Sequence, residues 1–159
     1  MGRWNIRWSI LLVLWCVTGV KLAAMKVESL DRGWFFNRGY ESQAADKGTV
    51  DLPHTWNAAD AMFGNVNYYR GMSTYSRFIV VPSSENFKRV FLRVKAAQTV
   101  ADVYLDNHFV AQHKGGYTSF TVELTHLIRR GEKQKLDIRV SNAQTMEIAP
   151  ICGDFNIWG

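Results

Sequence analysis

The sequence predicts an all-β domain that folds as a sandwich or jelly roll, and two observations carry this prediction. After residue 73 the chain is dominated by runs of period two, in which apolar and polar side chains alternate as in a half-buried strand. Turn residues separate these runs at intervals of about 10 to 15 residues, without the long helices that a parallel α/β sheet needs. A chain of 159 residues, 47% of them hydrophobic, is long enough for one domain with its own core.

The first 24 residues are predicted to be a signal peptide rather than part of this fold. Residues 9–20 carry no charge, two arginines precede them, and two alanines follow at positions 23 and 24. Twelve helical residues span about 18 Å, short of the roughly 20 residues that cross a bilayer. We therefore expect a secreted or periplasmic protein without a permanent membrane span, whose mature domain covers residues 25–159. A retained membrane anchor is the weaker alternative.

Six runs are predicted to form strands. In chain order they are residues 73–81, 89–94, 101–106, 108–113, 119–124 and 135–140. The side chains expected to face the core are those of Ala101, Val103, Leu105, Phe120, Val122, Leu124, Leu136, Ile138 and Val140. Carboxylates that alternate with them, such as Glu123 and Asp137, are expected to face solvent. The run at 89–94 is apolar enough to predict a central strand.

Turn and loop signals connect these strands as antiparallel neighbours. Asp106 and Asn107 separate two runs, and both residue types tolerate the positive φ that a two-residue hairpin requires. Gly115 and Gly116 mark a loop before the run at 119–124. Residues 30–77 interleave glycines with aromatic side chains and are predicted to be an ordered loop. Its aromatic rings either pack over a sheet edge or present a surface to a ligand, and composition leaves both possibilities open.

Charge and residue usage exclude several classes of function. Loss of residues 1–24 would remove 3 of the 19 basic residues and none of the 14 acidic ones, so the net charge falls from +5 to +2. A nearly neutral domain lacks the clustered basic face that nucleic acid binding requires. Cys16 would leave with the leader, so Cys152 has no intrachain disulfide partner. The four histidines lack metal-ligand spacing and no phosphate-binding loop is present, so we expect no metal and no cofactor.

Five phrases carry a resemblance to a known family. They are LDRGWFF at 30–36, VDLPHTWN at 50–57, NYYRG at 67–71, ADVYLDNHFVAQHKGGYTSFTVELT at 101–125 and IAPICGDFNIWG at 148–159. In this order they resemble the N-terminal domain of family 2 glycoside hydrolases, the β-galactosidase and β-glucuronidase group. The resemblance implies a galactose-binding-like jelly roll that binds sugar. It also implies truncation at the C-terminal end, because relatives continue from the last phrase into a further strand.

The resemblance and the local chemistry give four candidate site residues. Asn65 and Trp56 are candidates for sugar binding, and Arg70 and Asp154 are candidates for a structural role. Asn65 resembles the asparagine that some β-galactosidases direct into the active site, where its amide donates to and accepts from sugar hydroxyls; a turn-forming role is the alternative. Trp56 follows Pro53 in a loop, and its ring either stacks on a sugar or covers a core edge. Arg70 is expected to play a structural part by pairing with an acid such as Asp60 or Asp154.

The expected function is the carbohydrate-binding part of a β-galactosidase-like enzyme. The resemblance implies retaining hydrolysis by two glutamates on a TIM barrel that this sequence does not contain. No catalytic residue is therefore predicted, and the chain alone is expected to be inactive, with a galactoside or related glycan as its ligand. Two alternatives are a free-standing carbohydrate-binding module and a scaffold domain without a sugar site.

Overall fold

The computed structural model describes residues 25–39, 48–58, 69–84 and 88–148. Two compact units divide the chain at Leu30, and the described part of the first unit, residues 25–30, has no regular secondary structure. The second unit contains the strands of the described chain. They are β1 (Trp34–Arg38), β2 (Thr49–Val50), β3 (Met72–Val80), β4 (Phe91–Val94), β5 (Val100–Leu105), β6 (His108–Lys114), β7 (Phe120–Glu123) and β8 (Lys133–Ser141). Within the described ranges, no helix has the length and apolar character of a membrane span.

The strands form two antiparallel sheets, which confirms the prediction of an all-β domain. The larger sheet has the order β2-β1-β3-β8-β5-β6, and the smaller sheet pairs β4 with β7. One row of the larger sheet runs from Met72 through Ser141 and Val100 to Lys114. Strands β3 and β5 begin at this row, and β6 and β8 end there. We call this end of the domain the rim, formed by residues 69–71, 95–99, 115–119 and 142–148.

The core positions of β5 and β8 follow the predicted alternation, whereas Phe120 on β7 is only half-buried. Buried apolar side chains of the larger sheet are those of Trp34, Tyr75, Ala101, Val103, Leu105, Leu136, Ile138 and Val140. In the smaller sheet, the paired residues Leu92 and Val122 are both buried, so one face of that sheet is covered. Burying each such aliphatic side chain contributes about 1.5 to 3 kcal/mol, which stabilises the packing of the sheets.

The prediction that Asp137 faces solvent is wrong. Its side chain is 1% exposed, and its Oδ2 lies 3.3 Å from Nζ of Lys135. Asp137 lies on β8, which β3 and β5 flank, and its register partner Ser76 is also buried. Alternation shows which residues share a face of a strand, but it does not reveal whether the second face is covered as well.

Two further predictions about strands need correction. The predicted loop over residues 30–77 contains β1 and β2. Three consecutive aromatic residues hide the period of two in β1, and glycines with positive φ, Gly33 and Gly39, stand directly before and after it. The run at 89–94 is not a central strand, because β4 pairs only with β7 within the described chain. The ring of Phe91 is 49% exposed there, partly covered by the guanidinium of Arg89 at 4.7 Å.

The predicted hairpin between β5 and β6 is confirmed. Asp106 and Asn107 have φ angles of 49° and 66°, and they separate the paired residues Leu105 and His108. The Asp106 carboxylate also binds the start of β8. Its Oδ1 accepts the Lys135 backbone N–H at 2.8 Å. Its Oδ2 accepts from Nε2 of Gln134 at 2.8 Å and from Nη2 of Arg129 at 2.9 Å. The turn therefore fastens the end of the sandwich opposite the rim.

Candidate functional site

Trp56 lies in an aromatic cluster beside the rim. The ring of Phe36 is at its centre, 4.8 Å from the ring of His54, 5.0 Å from that of Tyr75 and 6.0 Å from that of Trp56. The indole is only 4% exposed. Strand β1 supplies Phe36 and strand β3 supplies Tyr75, whereas His54 and Trp56 come from the LPHTWN phrase. This phrase thus packs its aromatic rings on the core edge.

A hydrogen bond between neutral groups joins two members of this cluster. Nδ1 of His54 lies 2.8 Å from the hydroxyl of Tyr75. Burial lowers the pKa of His54 and raises the pKa of Tyr75 well above its ordinary value of 10.0. Both side chains are therefore uncharged at pH 7, and the bond anchors the LPHTWN phrase to β3 without burying a charge.

The backbone carbonyl of Tyr69 is the polar centre of the site. It accepts from Nδ2 of Asn57 and from Nδ2 of Asn142, each at 3.0 Å, and from the indole Nε1 of Trp56 at 3.4 Å. Both asparagine side chains are fully buried. A carbonyl oxygen has two lone pairs, so the two amides use its acceptor capacity and the longer indole contact is the weakest of the three.

Asn142 also holds the turn at residues 69–71 against the end of β8. Oδ1 of Asn142 accepts the Gly71 N–H at 2.9 Å, and the Asn142 N–H donates to the Gly71 carbonyl at 3.3 Å. The hydroxyl of Tyr69 donates to the carbonyl of Met72 at 2.7 Å. Asn142 therefore acts as a clamp that fixes the chain where it enters β3.

Arg38 adds a cationic side chain that contacts both Trp56 and Tyr69. Its Nη2 donates to the carbonyl of Trp56 at 2.8 Å, and its guanidinium carbon lies 5.5 Å from the ring centre of Tyr69. Arg38 ends β1, so the strand places this side chain between the two segments. Together with the hydrogen bonds of the Asn57 and Asn142 side-chain amides, Arg38 joins the residues that flank segment 59–68.

The structure places the sequence-predicted site residues as follows. Trp56 is buried in the aromatic cluster, and Arg70 is half-buried directly after Tyr69. Asn65 and Asp154 lie outside the described residues, as does Asp60. A sugar contact by Asn65 or Trp56 and an ion pair of Arg70 stay predictions. Asn57 and Tyr69, between which Asn65 stands in the sequence, are joined by the hydrogen bond from the Asn57 amide to the Tyr69 carbonyl.

Arg38, Asn57 and Asn142 make hydrogen bonds in the site that were not predicted from the sequence. Asn57 stands inside a phrase quoted for the family resemblance, and this was the one available signal for it. Arg38 lay in a segment predicted to be a loop. Asn142 follows β8 in a stretch without any motif, and its partner Tyr69 is 73 residues away.

Two histidines of the described chain take part in packing and hydrogen bonding. His54 contacts Tyr75, and His113 stacks on Phe120 at a centroid distance of 4.3 Å. No group of three or more His, Cys, Asp or Glu side chains within the described ranges is arranged to hold a metal ion.

The fold and the motifs place the chain in a protein family. The sequence model of the glycosyl hydrolase 2 galactose-binding domain-like family matches residues 63–150. The chain belongs to this family, which confirms the resemblance drawn from the five phrases.

Relatives with established names are considerably longer than this sequence. A β-glucuronidase from Bacteroides fragilis is 38% identical over 130 residues, which are 82% of this chain and 19% of that protein. A β-galactosidase from Thermoanaerobacter pseudethanolicus is 31% identical over 102 residues, 64% of this chain and 14% of the relative. The chain thus spans about a fifth or less of the relatives' length.

Solved structures agree with the observed fold. The crystal structure of Bacteroides uniformis β-glucuronidase matches with a TM-score of 0.72 and 32% identity, over 83% of this chain and 16% of that one. A putative β-galactosidase from Bacteroides fragilis matches with a TM-score of 0.73 and 27% identity, over 84% of this chain and 21% of that one. The described domain therefore has the architecture of one part of such enzymes.

Proposed function

We propose that this chain is the carbohydrate-binding domain of a family 2 glycoside hydrolase of the β-glucuronidase and β-galactosidase type. In this proposal the hydrolysis of O-glycosyl bonds is carried by residues outside this sequence. The main observation in support is that four fifths of the chain align with one fifth of a β-glucuronidase at 38% identity. The ligand is a galactoside, a glucuronide or a related glycan.

The geometry supports a sugar contact from segment 59–68. The Tyr69 carbonyl accepts from Asn57 and Asn142, so the two flanks of the segment are held next to each other at the rim. The amide of Asn65 would then both donate to and accept from sugar hydroxyls.

We assign Trp56 a structural role, in which it helps to fix the residues that flank segment 59–68. The indole is buried against Phe36 and donates to the Tyr69 carbonyl. Stacking on a pyranose would require the ring to leave both contacts. The contribution of Trp56 to binding would therefore be indirect, through the position of the flanks of segment 59–68.

Calorimetry with galactose, glucuronate and their oligomers tests the proposed function. We expect the isolated chain to bind with a Kd no tighter than about 1 mM, or roughly −4 kcal/mol, because few groups contact the sugar. Asn65→Ala should weaken this binding. The control Gln112→Ala, which removes an exposed hydrogen bond from Gln112 on β6 to Asp102 on β5, should not weaken it.

Two results would favour the alternatives. Micromolar binding would favour a free-standing carbohydrate-binding module, since affinity of that order needs no further domain. No affinity for any glycan would instead indicate a scaffold domain.

We also propose that residues 1–24 direct export and are removed, which leaves the domain in the periplasm or outside the cell. The uncharged run at 9–20 and the alanines at 23 and 24 support this proposal. The intact mass of the exported product should correspond to a chain that begins near Met25. A product that keeps Met1 would mean that the segment is an anchor.

A further inference from the structure

We propose that Tyr117 is a carbohydrate contact at the rim, where its ring forms a stacking platform for a pyranose. This inference rests on the proposed function and adds a contact residue to it. Tyr117 stands in the loop between β6 and β7, and its side chain is 70% exposed. By contrast, Tyr75 and Trp56 are almost completely buried.

The loop that carries Tyr117 is fixed at its beginning. The Gly115 N–H donates to the carbonyl of Thr99 at 2.7 Å. A Cβ atom at Gly116 would lie 2.8 Å from Cγ and 3.2 Å from Cα of Gln98, so the loop backbone packs directly on that residue. Gly115 has a φ of 119°, which L side chains rarely adopt. These constraints hold the residue before Tyr117 in one place.

The loop is also fixed at its base and at its end. The rings of His113 and Phe120, which flank it, are stacked at 4.3 Å with an interplanar angle of 13°. Oγ1 of Thr118 lies 3.3 Å from Nε2 of His113. Tyr117 is thus an exposed aromatic side chain on a firmly held loop. Such preorganisation reduces the entropy lost on binding.

The surroundings of Tyr117 favour a sugar over an apolar partner. Lys114 and Glu147 form an exposed ion pair at the rim, with Nζ and Oε2 3.3 Å apart. These groups and the hydroxyl of Thr118 can exchange hydrogen bonds with sugar hydroxyls, while a tyrosine ring covers the apolar C–H face of a pyranose. Among the described rim residues, Tyr117 and Met146 expose large apolar side chains. The polar residues close to Tyr117 in the chain suit an amphipathic ring ligand better than the broad apolar surface of a protein partner.

The topology puts this loop at the same end of the larger sheet as the turn at residues 69–71. Lys114, which precedes the loop, belongs to the row that runs through Val100 and Ser141 to Met72. The turn at residues 69–71 enters β3 at this row, so this turn and the loop of Tyr117 both lie at the rim.

The test compares three variants of the full chain by saturation-transfer NMR and chemical-shift titration with galactose and glucuronate oligomers. Tyr117→Ala should weaken binding about tenfold, the loss expected for one stacked aromatic ring. Tyr117→Trp should retain binding, because it keeps an aromatic face. Phe109→Ala is the matched control, since Phe109 is also an exposed aromatic (58%) but lies at the opposite end of β6.

The outcomes separate this inference from the proposed function. Equal affinities of the wild-type chain and Tyr117→Ala would overturn the Tyr117 contact and leave the carbohydrate-binding function intact. An equal loss in Phe109→Ala would overturn it as well, because the effect would not be local to the rim. No binding by the wild-type chain would overturn both proposals. The melting temperature of Tyr117→Ala should match that of the wild type, because the ring is exposed.

Discussion

Asn142 shows how one buried amide can organise the rim. Its side chain accepts from Gly71 and donates to Tyr69, so it satisfies a donor and an acceptor of the same turn. We predict that Asn142→Ala lowers the free energy of unfolding by about 2 kcal/mol, because both backbone groups lose a partner in a partly buried place. Urea denaturation at pH 7 measures this change. Gln112→Ala on the exposed face of β6 should change the stability by less than about 0.5 kcal/mol. Equal stability of the two variants would contradict the clamp.

Asp106 should make the stability of the domain depend on acid pH. Partial burial alone would raise the pKa of this carboxyl, but hydrogen bonds from Gln134 and Lys135 and the charge of Arg129 outweigh it and lower the pKa. Stability from a lowered pKa is present above the unfolded value of 3.8 and is lost as the pH falls through the folded value. Asp106→Asn should therefore cost about 1 to 2 kcal/mol at pH 7, since its amide would face the Gln134 and Arg129 donors.

Thermal unfolding between pH 7 and pH 2 tests this dependence. The difference in melting temperature between the wild type and Asp106→Asn should become smaller as the pH falls towards 2. Glu132→Gln is the matched control, because Glu132 binds the same Arg129 at 2.6 Å from an exposed position and should contribute little. A gap that stays constant with pH would mean that the charge of Asp106 does not contribute.

The core positions of β5 and β8 could be predicted at the residue scale, whereas the polar centre of the site could not. Alternation depends on neighbours two positions apart, which the sequence contains directly. Asn57 and Asn142 bind a carbonyl that is distant in sequence, and an asparagine usually lies at the surface or in a turn. Their burial arises only when β1, β3 and β8 have assembled.

At the scale of elements, the β5–β6 hairpin was predictable because its turn chemistry is local. Asp106 and Asn107 are two adjacent residues that tolerate positive φ, and the register of the two strands follows from them. Strand β1 was not predictable in this way. Its aromatic side chains become a strand by pairing with β3, and its neighbouring glycines look like loop residues in the sequence.

The hairpin yields a prediction about Asn107. Glycine adopts the φ of 66° found here without steric cost, whereas a β-branched residue does not. Asn107→Gly should leave the stability unchanged or raise it by up to about 1 kcal/mol, and Asn107→Val should lower it by about 1 to 2 kcal/mol. Urea denaturation of the two variants against the wild type measures both. A stable Asn107→Val protein would indicate that the turn changes its conformation easily.

At the scale of the whole molecule, the antiparallel topology places two hydrogen-bonded networks at opposite ends of the larger sheet. The end at Asp106 is closed by hydrogen bonds between the hairpin and the start of β8. The rim instead collects the turn at 69–71 and the loop of Tyr117, which are far apart in sequence. The sequence could indicate Asn65 through its family resemblance. It could not indicate that the loop of Tyr117 and the turn at 69–71 lie at one end, because that depends on the register of β3, β5, β6 and β8.

The last prediction is that the purified chain does not hydrolyse aryl glucuronides or aryl galactosides. A retaining glycosidase needs two carboxyl groups about 5 to 5.5 Å apart, one of them with a raised pKa that lets it act as an acid. Glu123 shows the opposite shift: hydrogen bonds from Arg89 and Thr125 lower its pKa to about 2. Asp106 is likewise shifted downward. Both carboxylates are bound to cations at the surface and are unsuited to proton donation.

The full-length β-glucuronidase of Bacteroides fragilis serves as the positive control in a fluorescent assay. Turnover that copurifies with the chain and disappears in Glu123→Gln or Asp154→Asn would show that it carries a catalytic site of its own.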